Sequence, residues 1–477
     1  MFDTTQAAAR VRTSICILAL SLAIASCATS PVSPCPSVSV PVTWHSEAAR
    51  TENAGNATVA WWRQAGSAEL SALIEQALHN NRDLHAAAAR VLQARAITGE
   101  VDSERQLQLN GVAAASRGRS TVLDPRSTSV RAGLRASREA DLFGAKGLAS
   151  QAAQLDSERA ELARQGMETV IAAEVATAYF DAAILDRRIR LGEQSLEKLR
   201  LETRIAGKQF AAGRLTRPDV VARESQQKTA QINQTTLESA FQQRLFQLSV
   251  LVGVAAGELN PRFTGIDDLR LPAPAAALPG ELLERRPDVQ QHLREVSAEA
   301  ARVGVSQREL YPRLLFSWDD SLERARVDKS NATSGIALGY GLTLTLPILD
   351  GGRIRTQIQV SEARLKESMA AYEKAMLEAL ADAETVLVRQ KSATTTLSLN
   401  DDSLKLSGEN AQHAKRLFLA GQVDQSRVVD SELVALQAMD AYLQAQGAYW
   451  IAKVDVLRAF SGPLEPANKS VGGSVSF

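Results

Sequence analysis

The sequence predicts a mainly α-helical chain with a small transmembrane β part, laid out as an internal two-fold repeat whose strands close a barrel only with those of other copies. Three observations predict it. The stretch SGIALGYGLTLTLPILDGGRIR, residues 334 to 355, sets Ile336, Leu338, Tyr340, Leu342, Leu344 and Leu346 against Gly335, Ala337, Gly339, Gly341, Thr343 and Thr345. That is the two-residue period of a strand with one apolar face. Charged helical patterns run for about 65 residues, on the order of 100 Å at ~1.5 Å per residue, which few globular domains use. Landmarks recur at a shift of 208 residues: Gly144 with Gly352, Gly213 with Gly421, Val220-Val221 with Val428-Val429. One plan told twice points to duplication.

At the N-terminus, Arg10 and Arg12 precede the apolar run Ile15 to Ile24, which ends in IASC. A basic start, a short apolar core and small residues describe an export signal (residues 1–26), because a spanning helix needs about 20 apolar residues. IASC resembles the bacterial lipobox, which implies acylation of Cys27, with plain cleavage or a chance cysteine as the alternatives. Ala28 and Thr29, in place of an aspartate, then imply sorting to the outer membrane. Cys16 would leave with the signal and Cys35 would remain without an intramolecular partner, so no disulfide framework is available. Residues 27–66, rich in Pro, Ser, Thr and Ala, read as a lipidated tether.

The first repeat is expected over 67–260. Leu70, Leu73, Ile74, Ala77 and Leu78 hold one face of a helix. Strands follow at about 105–118 and 126–139, then a long helical hairpin at about 142–252, broken at AAGRLTRPD, residues 211 to 219. A Pro/Ala-rich linker (261–280) leads to the second repeat, 281–462. It is expected to hold a helix, strands at about 311–325 and 334–347 and a hairpin at about 351–460, before a tail at 463–477.

Four short strands in an average protein would make hairpins over one soluble core. Here the chain is exported, the stripe 336–346 approaches the ~9 to 11 residues of a tilted membrane strand, and residues 131–138 carry arginines on their other face. Membrane strands leave no edge amide unpaired, and four are too few to close, so several copies must share one barrel. The long helices are full of Glu, Arg and Lys and belong in an aqueous compartment, where they are expected to form coiled-coil-like hairpins prolonging the barrel. The abrupt change of period at Asp350-Gly351-Gly352, and at DLFG ending in Gly144, marks where sheet becomes helix.

Other chemistry is absent from the pattern. Lys plus Arg equals Asp plus Glu, 54 each, so no global field draws nucleic acid. His45, His79, His85, His292 and His413 lack metal-ligand spacing, and no Walker lysine, dinucleotide fingerprint or nucleophile elbow is present. The expectation is no enzyme, cofactor or metal. Trp61-Trp62 is read as packing of the N-terminal segment on the body, with an interfacial anchor as the alternative.

These residues resemble the TolC-type outer-membrane efflux proteins, specifically the lipoprotein (NodT or OprM-like) branch serving tripartite RND pumps. The resemblance covers the chain from the lipobox to about Gly462. It rests on WW at 61–62, LIEQALHNNRDLHAAAARV, EADLFG, ATAYFDA, LLERRPDV, YPRL, LPILDGG and LFLAGQVD, in this order. It implies a homotrimer in outer-membrane lipid, four strands per chain in a shared β-barrel and a periplasmic α-helical barrel. This conduit docks on a periplasmic adaptor and an inner-membrane RND pump, and passively releases drugs or other small molecules.

The resemblance also implies an iris-like gate at the hairpin tips, Gly213 and Gly421. Asp430, nine residues beyond Gly421, would form a ring of carboxylates, with Asp424 beside it; such a ring favours cations. Arg427 stands where TolC itself has a second acid, and Ser426 replaces an apolar plug, so the ring is expected to be partly neutralised. Asp219 matches a position that ties neighbouring hairpins. The plainer readings are a solvated face for Asp430, a helix N-cap for Asp424 and a first-turn dipole partner for Asp219. Two other functions fit the same text in part: a type I secretion exit channel for polypeptides, and a non-pore periplasmic coiled-coil adaptor lipoprotein. Adaptors usually pair one hairpin with Val/Gly-rich β domains, whereas this chain has two hairpins and a duplicated strand pair.

Overall fold

The computed structural model describes residues 38–45, 60–119, 126–263, 269–272, 278–327, 332–460 and 462. The segment read as an export signal, Cys27, Cys35 and the stretch read as a tail lie outside them. The elements run α1 (Ala68–Asn80), α2 (Arg82–Ser103), β1 (Gln108–Arg119), β2 (Arg126–Ala140), α3 (Ala145–Ala211) and α4 (Arg217–Val252). They continue with α5 (Pro279–Arg285), α6 (Pro287–Arg308), β3 (Arg313–Val327), β4 (Thr333–Thr345), α7 (Arg353–Leu419) and α8 (Gln425–Phe460). The repeat is written into the helix ends. α3 and α7 are both 67 residues long, α4 and α8 both 36, and each boundary of the second hairpin lies 208 residues after its counterpart.

The chain divides into two compact units. One contains the sheet. Its strands run in the order β1-β2-β3-β4, antiparallel throughout, so the central pairing of β2 with β3 joins the two repeats. β1 begins only at Gln108 because the turn after α2 carries on through the amides of Glu104, Arg105 and Gln106, each bonded three residues back.

The register sorts the side chains onto two faces. One carries Leu109, Gly111, Ala113 and Ala115, then Val130, Ala132 and Leu134, then Phe316, Trp318 and Leu322, then Ile336 to Leu344. Asp320 interrupts it, and Arg138, expected on the other face, lies on this one opposite Phe316. Along β4 this face is open: Ile336 is 76% exposed, Tyr340 83% and Leu342 69%. The other face pairs Arg131 with Glu323 and Arg135 with Asp319 across the β2–β3 ladder, and Arg135 Nε lies 2.5 Å from Asp319 Oδ1.

In the same unit, sheet passes to helix through glycines in the left-handed region, Gly144 at φ 76°, Gly351 at 67° and Gly352 at 87°, a conformation that costs other residues a Cβ clash. A carboxylate caps each long helix. Asp141 accepts from the amides of Lys146 (3.2 Å) and Gly147 (2.8 Å), and Asp350 from those of Ile354 (2.8 Å) and Gly352 (2.9 Å). Those last two amides hold the Asp350 carboxyl below the usual carboxylate range. Arg308 donates from Nε to the carbonyl of Phe143 at 2.6 Å, and Phe143 stacks on Tyr311 with centroids 4.8 Å apart.

The second unit is helical. Its core gathers Trp61, Trp62, Leu70, Ile74, Val175, Tyr179, Phe180, Leu248, Val252 and Trp450. Small residues of α3, Ala172, Ala176, Ala182 and Ala183, are buried there, so helices approach closely around the few large rings. Phe180 stacks on Trp450 at 5.9 Å, and the Tyr179 hydroxyl donates to Glu69 Oε2 at 3.0 Å. Ser67 and Asn81 cap α1 and α2; the buried Asn81 also donates to the Leu251 carbonyl at 2.9 Å. Part of the segment read as a tether packs on this unit: Trp44 is buried, edge-on to Phe460 at 5.6 Å.

Candidate functional site

The hairpin tips of the helical unit are built by identical backbone chemistry. Gly213 and Gly421 take φ 70° and 71°. Each donates its amide to a phenylalanine carbonyl three residues back, Phe210 and Phe418, both at 2.9 Å. The next amides, of Arg214 and Gln422, bond to Gln209 (2.8 Å) and Leu417 (2.9 Å). This left-handed stop closes the last turn of a helix and satisfies its carbonyls. Beyond it, Val220, Val428 and Val429 are buried and fix the returning helices.

The starts of α4 and α8 then diverge. In the first repeat Asp219 accepts from the Thr216 amide at 2.9 Å and from its hydroxyl at 2.5 Å. These bonds, hydroxyl first, hold the Asp219 carboxyl below its ordinary range. Within one chain these bonds close the first turn of α4. In the second repeat the corresponding positions are Asp424 and Arg427, both exposed, with Ser426 half-buried between them.

Asp430 sits one turn into α8 and is half-exposed. The cation that stands beside it is Arg223 of α4, Nη1 to Oδ1 3.8 Å. The same Nη1 is 2.7 Å from Glu202 Oε1 on α3. Glu202 is 2% exposed, and the guanidinium reaches it without the alignment of a hydrogen bond. Burial pushes the Glu202 carboxyl up, Arg223 pulls it down, and the nearby Asp430 carboxylate adds to the rise. Three helices thus share one guanidinium between two carboxylates.

Two more ion pairs join the hairpins along the same helices. Lys198 Nζ on α3 lies 2.6 Å from Glu432 Oε2 on α8. Arg188 of α3 is bidentate to Asp440 of α8, at 2.7 and 3.1 Å, the geometry that gives guanidinium–carboxylate pairs their strength. Between α3, α4 and α8 runs a groove of about 920 Å³ lined by Arg188, Gly192, Arg223, Gln234, Asp430 and Asp440. The end of the Gln234 side chain lies over Gly192, so a larger residue there would have to displace it.

Of the residues singled out in the sequence, the structure brings Asp430 into a charged cluster and sets Asp424, Arg427, Gly421, Gly213 and Asp219 on the exposed tips. Gly144, Gly351 and Gly352 belong to the sheet unit. Sequence reasoning missed Glu202, Arg223, Arg188 and Asp440. Each is one charge among many on an amphipathic helix, and nothing local marks its partner. Among the described residues no group of His, Cys, Asp or Glu is arranged to hold a metal ion, and no helix is long and apolar enough to cross a membrane.

The family described as outer membrane efflux protein matches residues 73–254 and 278–462, one match to each repeat. The pyoverdine export outer membrane protein OpmQ of Pseudomonas putida is 28% identical over 460 residues, covering 94% of this chain and 97% of that protein. Outer membrane protein OprJ of Pseudomonas aeruginosa is 28% identical over 464 residues, 93% of this chain and 95% of that protein. The solved outer-membrane channel OprN superposes with a TM-score of 0.79 at 25% identity, over 92% of this chain and 100% of that one.

Proposed function

The chain belongs to the outer membrane efflux protein family, and from that premise we infer that its sheet and hairpin tips work as a passive, gated exit duct. It is the outer-membrane component of a tripartite efflux system, with β1–β4 in lipid and the long helices in the periplasm. The observation that carries the reading is the sheet itself. A row of exposed Ile, Leu and Tyr on β4 sits opposite a polar face with cross-strand Arg–Asp pairing, and β1 and β4 are both edges. In lipid such edges need partners, so β4 of one copy pairs with β1 of the next. Three copies complete the barrel, Cys27 anchors each chain by its acyl groups, and a periplasmic adaptor joins the duct to an inner-membrane RND pump that supplies the energy.

The tips supply the gate. Asp424 and Asp430 approach the threefold axis, where a ring of carboxylates draws cations and opposes anions. Arg223 and Glu202 set how much of that charge is available. The test is conductance of the purified full-length protein in planar bilayers. Stepwise, cation-preferring currents are expected; protein that inserts without any current would end the reading.

A further inference from the structure

We propose that the outward end of the sheet carries a basic rim that binds phosphate groups of lipid headgroups in the outer leaflet. The proposal rests on the sheet lying in the outer membrane. On the apolar face, the row Ala113, Ala132, Leu322, Ile336 ends the lipid-facing stripe towards the end of the sheet where Arg119 pairs with Arg126. The next row on the same face is Ala115, Val130, Arg324 and Ser334, and the one after it holds Arg117, Thr128 and Arg326. Arg117, Arg324 and Arg326 are all exposed. At ~3.4 Å per residue these rows lie about 7 and 14 Å beyond the apolar row, measured along the strand, the depth at which hydrocarbon gives way to headgroups.

Their position excludes a role in the lumen, because the lumen-facing arginines, Arg131 and Arg135, lie opposite Glu323 and Asp319 on the other face. Among the described residues the acid on the outward face is Asp320, one row inside Leu322, on the side away from Arg324. The rim therefore meets the membrane with the exposed guanidinium groups of Arg117 and Arg324. Guanidinium groups bind phosphate oxygens in bidentate fashion and are weakly hydrated, so they hold a headgroup where an ammonium would remain in water. Repeated by the other copies around the barrel, the rows form a girdle that seats the channel against phosphorylated lipid.

The experiment titrates detergent-solubilised full-length protein with bisphosphorylated lipid A and with its monophosphorylated form, by microscale thermophoresis. Wild type is expected to prefer the bisphosphorylated lipid at least tenfold, and the triple variant R117Q/R324Q/R326Q to lose that preference. Equal binding of the two lipids by wild type, or a triple variant that binds like wild type, overturns the proposal. So does full competition by millimolar inorganic phosphate, which would mean an anion site rather than a lipid site. Should the triple variant not assemble, R117Q and R324Q are tested singly, and the wild-type lipid comparison decides alone. Planar-bilayer conductance of the same variants stays at the wild-type value, so loss of the rim is distinguished from loss of the channel.

Discussion

Arg188 and Asp440, 252 residues apart in sequence, meet through two parallel hydrogen bonds of 2.7 and 3.1 Å between α3 of the first repeat and α8 of the second. Neither side chain is more than about a third exposed, so solvent screens this pair less than a surface bridge. Reversing one charge, as in R188D or D440R, puts like charges face to face, and is expected to loosen the hairpins and raise conductance several-fold. The double exchange R188D/D440R should return it most of the way. A double variant as leaky as the singles would mean that the pair does not hold the hairpins together.

The Glu202 carboxyl titrates above its ordinary value of about 4.5, chiefly through burial. A raised folded value means that the folded cluster binds the proton more tightly than the unfolded chain does. Its stabilising contribution is complete below about pH 4.5 and fades as pH rises through the raised value. The folded cluster is therefore favoured in acid, and the melting temperature of the purified protein should fall as pH rises across that window. E202Q mimics the protonated group and should flatten the fall; a pH profile unchanged in E202Q would mean that Glu202 does not set it.

Asp430 has an arginine 3.8 Å away and remains half-exposed. Removing its carboxylate in D430A takes one negative charge per copy from the tip, and reversal potentials in a salt gradient should shift towards non-selectivity by several-fold in the cation-to-anion ratio. R223Q should act in the opposite sense, unmasking both carboxylates. Equal selectivity in all three proteins would place the selective ring elsewhere.

Gly133 lies opposite Ser321 at the junction of the two repeats. A Cβ there would collide with the Asp320 carbonyl and the Ser321 backbone, whereas at Gly339 it would meet nothing within 4 Å. G133A is expected to break the β2–β3 ladder and reduce assembled outer-membrane protein at least tenfold, because backbone cannot give way as a flexible side chain does. G339A should assemble normally. Heat-resistant oligomer on unboiled gels reads both, and equal yields would refute the close approach.

Much of the sheet was legible because its rule is local. Alternation along 336–346 marks one face of β4 without any partner strand, and the same text that supplies the greasy row supplies the glycine and threonine row behind it. The tips were legible for a similar reason, since Gly213 and Gly421 need only their own helix to demand a left-handed residue. The cation beside Asp430 was not. The sequence pointed to Arg427, its neighbour along the chain, while the fold brings Arg223 of the other hairpin. The Trp44 packing was equally hidden, because a tryptophan among prolines and serines carries no pattern that names Phe460.

By itself, then, the sequence determined the period of each element, where helices stop, and that one half repeats the other, for these follow from backbone sterics and the spacing of apolar side chains within a turn or two. Only the tertiary structure decided which charges meet. On helices of 67 residues many ionisable groups are equivalent by pattern. The rotation and offset with which α3, α4 and α8 pack select Glu202, Arg223 and Asp430 from among them, and that choice is set by contacts far apart in the chain.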